Sequence, residues 1–181
     1  MEVDNNKLIT VLRNCDATMI PAGEKIILIE GTHVRITQSL GGNFTVLVNG
    51  NLVKVSGKDA DALGLEKEVE INDKIPSRLA NEKDIWEAMK QCFDPEIPVN
   101  IVDLGLIYDL TISGKEDNQD IHVKMTLTAP GCGMGPSIAA DVKTKILALN
   151  GINNVEVELV WDPQWGRDMM SEEAKLQLGM F

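Results

Sequence analysis

Cysteine is scarce in this sequence and never paired. Cys15, Cys92 and Cys132 are the whole supply, odd in number and far apart. With no C-x-x-C pair, the spacing suggests no disulfide framework and predicts three free thiols. A self-sufficient zinc or iron–sulfur site usually takes about four ligands from one chain, often in close pairs. Three scattered cysteines and two histidines, His33 and His122, do not supply one. Positive charge is short as well: 17 Lys and Arg stand against 28 Asp and Glu, a formal charge of -11. That balance argues against nucleic acid and anionic membrane as partners, because both reward basic patches. No run approaches the roughly 20 apolar residues that span a bilayer. The N-terminus, MEVDNNKLITVLRNCDA, has neither a basic lead nor a long apolar stretch, so neither a signal peptide nor a transit peptide is expected, and a cytoplasmic location is.

What the chain does contain falls into two regions. Up to about residue 65, the runs KIILIEG, HVRITQS, FTVLVNG and LVKVSG are short, β-branched and separated by glycine and asparagine. LGGN and VNGNLV are turn signals, the second a two-residue hairpin candidate. Four or five such strands predict a small β-barrel or roll over residues 1–65. Cys15, after a strand-like run, reads as a packed residue, and His33, beside Arg35 in a strand, as a surface or rim residue. Residues 66–80, EKEVEINDKIPSRLA, are charged and contain Pro76, which reads as a linker.

From 81 to 181 the period changes. Ile85, Trp86, Met89 and Phe93 recur at helical spacing behind Asn81, a candidate cap. VDLGLIYDLTIS, with Asp103 near its start, and DIHVKMTLT read as strands joined by a polar turn. Ile138, Val142, Ile146 and Leu149 form the stripe of a second helix, with Gly151 as its stop. VEVELVW is a third strand, and SEEAKLQLGM a short terminal helix capped by Ser171. The order helix, strand, strand, helix, strand, helix predicts an α+β domain on a mixed sheet.

Chemistry concentrates in the bend LTAPGCGMGPS. Gly131, Gly133 and Gly135 run G-x-G-x-G and are followed by Pro136, which misses the G-x-G-x-x-G dinucleotide fingerprint. No lysine occurs in the bend, so it is not a P-loop, and no nucleotide is expected. Pro136 suits the first position of a helix, which places Cys132 just ahead of a helix start. Unpaired N–H groups and the positive end of the helix dipole there favour a thiolate, the form that ligates metal or attacks electrophiles. The competing reading is a buried, inert thiol. Pro95 and Pro98 hold Asp94 and Glu96 in a stiff turn, although Asp-Pro is also a common turn starter with no chemistry. An enzyme has little to work with. His122 lies well back on the strand leading to the bend and reads as a sheet-face residue. Neither G-x-S-x-G nor H-E-x-x-H occurs.

Taken together, DPEIPVNIVDLGLIY and LTAPGCGMG resemble the SufT-type metal–sulfur cluster biosynthesis proteins, whose domain is shared with PaaD proteins and the cytosolic iron–sulfur targeting factors. The resemblance covers about residues 80–181, including the closing WDPQWGRDMMSEEAKLQLGM, where Gln164 replaces an expected proline. The N-terminal β region is similar to the SufT-specific extension. The resemblance implies an iron–sulfur-assembly-like domain and an accessory, non-enzymatic role in iron–sulfur protein maturation. Cys132 corresponds to the reactive cysteine and metal ligand, and Asp94 and Glu96 to the acidic turn. Thr128, Gly131 and Gly133 support the bend. A transient iron–sulfur cluster or iron is the implied cargo, and iron–sulfur client proteins or other assembly factors are the implied partners. One thiol gives too few ligands for a stable cluster, so a client or a second copy of the chain must complete it, and a homo-oligomer stays open. A metal-free protein–protein adaptor with a structural Cys132 and a thiol enzyme using it as nucleophile are the alternatives.

Overall fold

Two glycine-bearing hairpins shape the first part of the chain. In the computed structural model, which describes residues 7–66 and 77–180, Asn49 and Gly50 both have positive φ, 49° and 81°. They join β5 (Asn43–Val48) to β6 (Asn51–Ser56) with Val48 opposite Asn51. Positive φ at both central residues gives a turn twist that matches the strands, and asparagine and glycine tolerate it. Gly41 and Gly42, at 61° and 71°, do the same between β4 (His33–Leu40) and β5. Adding β1 (Leu8–Thr10), β2 (Cys15–Ile20) and β3 (Lys25–Leu28) gives one antiparallel sheet in the order β1-β4-β5-β6-β2-β3.

The expected barrel is corrected by this order: six strands form an open sheet with β1 and β3 as its edges. Cys15 follows β1 as the first residue of β2 and is buried, as expected of a packed residue. One face collects Cys15, Ala17, Leu28, Val34, Ile36, Phe44, Val46, Val53 and Val55 into a core, with Ala60 and Leu63 of a 3-10 turn (Gly57–Leu63) packed against it. That turn is held by Arg13, whose guanidinium donates to both oxygens of Asp61 (2.7 and 2.8 Å) and to Asp59 (3.0 Å). His33 is exposed, as expected of a rim residue.

The chain divides into two units, Met1–Asn72 and Asp73–Phe181, and most of the expected linker lies outside the described residues. In the second unit, α1 (Glu82–Met89) begins with a reciprocal capping box. Asn81 Oδ1 accepts from the Asp84 N–H, and Asp84 Oδ2 accepts from the Asn81 N–H. Two of the orphan donors at the helix start are thereby satisfied. Ile85 and Met89 face the core. β7 (Ile107–Lys115) and β8 (Asn118–Met125) pair antiparallel through the turn at Glu116 and Asp117, and β9 (Ile152–Leu159) pairs parallel to β8. The sheet is mixed, as the element order predicted. A parallel pair needs a long crossover, and α2 (Gly135–Leu147) supplies it, burying Ile138, Val142 and Ile146. α2 ends at Ala148, with Gly151 (φ 88°) turning the chain into β9 rather than stopping the helix itself. α3 (Glu172–Gln177) is capped by Ser171. Among the described residues no helix is long and apolar enough to cross a membrane.

Candidate functional site

β8 ends at Met125, and its last turn outward begins with a buried threonine. The Thr126 N–H donates to the Leu106 carbonyl at 2.8 Å, so the entry to the cysteine bend is tied to the segment that leads into β7. Leu127 and Met134 are buried at either side of the bend, while Ala129, Pro130 and Gly131 are exposed and Thr128, Cys132 and Gly133 are half-buried. Gly131 has φ 75° with open space around the position of a missing Cβ, so backbone conformation alone selects glycine there. Two successive turns follow: the Cys132 N–H donates to the Ala129 carbonyl (3.4 Å), and the Gly135 N–H to the Cys132 carbonyl (3.3 Å).

The helix starts one residue earlier than expected. Gly135 is its first residue, and Pro136 occupies the second position. The reason is packing: a Cβ on residue 135 would lie 2.8 Å from Leu127 Cδ1 and 3.1 Å from Leu159 Cδ1. Glycine lets the first turn of α2 seat between the ends of β8 and β9. Cys132 therefore sits three residues ahead of the helix, on a bend whose two ends are anchored in the core. Of the three thiols, Cys15 and Cys92 are buried, and only Cys132 has partial exposure. Burial pushes the Cys15 thiol up from its ordinary pKa, with nearby Asp59 adding to the effect.

The acidic turn is organised by its own backbone. Asp94 is only 6% exposed, and its Oδ1 accepts from the Glu96 N–H at 2.9 Å, an Asx turn. A bridge between Phe93 and Asn100 closes the loop behind it, and Glu96 is exposed. Asp103 does not open a strand. Asn100 Oδ1 accepts from the N–H groups of Val102 and Asp103, and Asn100 Nδ2 donates to the Asp103 carboxylate at 2.6 Å. The resulting turn ends at Gly105, whose φ is 75° and where a Cβ would collide with the Met169 carbonyl. Among the described residues, no three His, Cys, Asp or Glu side chains are grouped to hold a metal ion. Cys132, Asp94 and Glu96 thus do not form a preassembled site.

The C-terminal segment, by contrast, is drawn into the same region. Trp165 Nε1 donates to the Leu104 carbonyl at 2.7 Å, and the Tyr108 hydroxyl to the Pro163 carbonyl at 2.7 Å. The Ser171 N–H donates to the Asp103 carbonyl at 2.8 Å. Segment 161–171 is therefore laced to 103–108, which in turn holds the entry to the cysteine bend at Thr126. Trp165, Tyr108 and Gly105 were not singled out from the sequence, where aromatics and glycines of these kinds carry no mark of long-range contact, and Gly135 was read there only as part of the bend. His122 lies on the sheet face opposite the helices, with Nε2 3.2 Å from Glu158 Oε2, and contributes no base to the bend.

A family model described as iron–sulfur cluster assembly protein matches residues 82–159. An Fe-S protein maturation auxiliary factor of Porphyromonas gingivalis is 44% identical over 101 residues, 56% of this chain and 93% of that protein. The Fe-S protein maturation auxiliary factor YitW of Bacillus subtilis is 41% identical over 101 residues, covering 56% of this chain and 96% of its own length. The auxiliary factor SufT of Staphylococcus aureus is 45% identical over 87 residues, 48% of this chain and 96% of that one. The cysteine bend, the acidic turn and the sheet that carries them all lie inside the matched residues, and the chain belongs to the SufT-type iron–sulfur cluster assembly protein family.

Proposed function

We propose that this protein is an accessory factor in iron–sulfur protein maturation, and that the Cys132 thiolate is the group that engages a cluster, an iron ion or a client. The family membership supports the accessory role. The observation that carries the site is the placement of Cys132: the one incompletely buried thiol, on a bend held at both ends, inside the residues matched by the family model. Thiolate sulfur is a good ligand for iron in clusters, and ligation displaces the thiol proton. One sulfur leaves the other coordination positions to the incoming partner, which suits transfer better than storage. Asp94 holds the acidic turn from within, by accepting from the Glu96 N–H, and Glu96 presents an exposed carboxylate on it.

The test pairs Cys132→Ser with thermal melts and with the activity of an iron–sulfur enzyme in cells that carry only the variant. Away from the core such a change costs within about 0.5 kcal/mol, whereas a hydroxyl is a poor replacement for a soft thiolate ligand. An unchanged melt with lost client activity is the expected result. Normal client activity with an unchanged melt removes the cysteine from the mechanism and leaves a metal-free adaptor.

A further inference from the structure

Among the described residues, the second sheet has an open edge beside a helix. There β9 pairs with β8 alone, and its register from Val155 to Leu159 is unbroken. The Val160 N–H donates to the Met125 carbonyl. In a parallel ladder, alternate residues turn both backbone groups to the same neighbour. Residues 160, 158 and 156 therefore address β8, and the N–H and C=O groups of Val155 and Val157 point away from it, along the free edge. Between this edge and α2 lies a groove of about 340 Å³, lined by Ala139, Ala140, Lys143, Val155, Glu156 and Val157. The alanines are what keep it open, since longer side chains at those helix positions would fill it. No proline or bulge interrupts this stretch of β9, whereas the opposite edge strand, β7, carries an irregularity between Ile107 and Asp109. Bulges are one of the usual protections of an exposed edge.

We propose that this groove is a docking site for an extended segment of a partner protein, which adds to β9 as a fourth strand. The alternation of β9 defines the chemistry of the segment. Its residues opposite Val155 and Val157 lie on the α2 side, over the alanines, and are small and apolar. Its intervening residues lie beside Glu156 and Glu158 on the open face and are basic, since opposite charges pair favourably across strands and like charges do not. This also disfavours a second copy as the occupant. Antiparallel registers that set Val157 opposite the copy's Val155 or Val157 place glutamate against glutamate, and the chain already carries a charge of -11. The site does not depend on the role given to Cys132, so Cys132→Ser leaves it intact.

Two blocked seven-residue peptides, one alternating valine with lysine and one alternating valine with glutamate, test the proposal on the full chain. Fluorescence anisotropy gives affinity, and backbone amide shifts give location. The valine–lysine peptide is expected to bind, to shift the amides of Val155 and Val157, and to bind at least about tenfold more tightly than its acidic counterpart, one charge pair or hydrogen bond to a charged group being enough for that ratio. Glu156→Lys narrows or reverses the preference. Val157→Pro removes an outward donor while sparing the β8 ladder, as edge prolines do, and weakens binding. Ala140→Trp, at an exposed helix position, fills the groove and does the same if the proline variant fails to fold. Four results overturn the proposal. They are absence of binding by both peptides, equal binding of the two, binding insensitive to the groove variants, and a dimer of the chain that Val157→Pro or Ala140→Trp dissolves.

Discussion

Two of the glycines around Cys132, Gly131 and Gly135, serve different ends, and substitution separates them. Gly131 is selected by its left-handed backbone with empty space beyond, so Gly131→Ala is expected to cost about 1 kcal/mol, and Gly131→Asn less, because asparagine visits that region more readily. Gly135 is selected by contact. Its alanine variant pushes on the Leu127 and Leu159 side chains, buried and half-buried, and overpacking of that kind costs about 1–3 kcal/mol. Urea midpoints of the three variants, with m held constant, distinguish the two causes. Equal losses for Gly131→Ala and Gly131→Asn would mean that φ is not what selects glycine there. The thiols separate in the same way. Cys132 is expected to alkylate first in the native protein, with Cys15 and Cys92 reacting only through opening of their cores. Partial labelling read by mass spectrometry ranks them, and a native Cys132 that labels last contradicts the proposed site.

At the scale of elements, α1 offers a clean dissection because its start is polar and its packing lies on another face. Losing the side-chain half of the capping box in Asn81→Ala is expected to cost about 1 kcal/mol. Asp84 adds a pH dependence. Hydrogen bonds from Arg78, at 2.7 and 3.0 Å, and from the Asn81 N–H hold its carboxyl below the usual carboxylate range. A folded pKa below the unfolded one contributes stability above the unfolded value, and the contribution is lost as pH falls through the folded value. The stability gap between the native protein and Asp84→Asn is therefore expected to be constant near neutrality and to close as pH falls below about 4; urea melts across that range measure it. Elements like these were legible in the sequence because their signals are local: Asn81 and Ser171 as caps, Asn49-Gly50 as a hairpin, the stripe of Ile138, Val142 and Ile146. The misreadings share one origin in non-local geometry. VDLGLIY alternates like a strand from its first residue, but the Asn100 side chain bends Val102 and Asp103 into a turn. The open order of the first sheet follows from β2 pairing with β6 and β4 with β1, a choice that no single run records. The bend that carries Cys132 was legible from its glycines and from Pro136. The lacing of Trp165 to Leu104 and of Tyr108 to Pro163, over 61 and 55 residues, was not, because a hydrogen bond to a carbonyl leaves no trace in residue type.

The whole molecule raises the question of how far the unit that carries the candidate site stands by itself. The second unit encloses its own core: Ile85 and Met89 from α1, Ile121, Val123 and Met125 from β8, Ile138, Val142 and Ile146 from α2, and Val155 from β9 are each at most 2% exposed. Its ends are tied internally as well. The Ala80 N–H donates to the Asn150 carbonyl, and Gln119 Nε2 to the Ala80 carbonyl, which fastens the approach to α1 onto the sheet. At the other end, Gln177 Nε2 donates to the Pro98 carbonyl, which brings α3 back onto the acidic turn. The first unit likewise has its own core, closed by the Arg13 fork on Asp59 and Asp61. Two cores closed in this way predict two cooperative transitions, since an all-or-none melt reports one continuous packed interior. A fragment beginning at Asp73 is expected to unfold in a single transition, at the midpoint of one of the two transitions of the full chain, and to keep the labelling rate of Cys132. Calorimetry of the fragment and the full chain makes the comparison. A fragment without a cooperative transition would show that the first unit completes the second, and that the site is a property of the whole chain rather than of its C-terminal part.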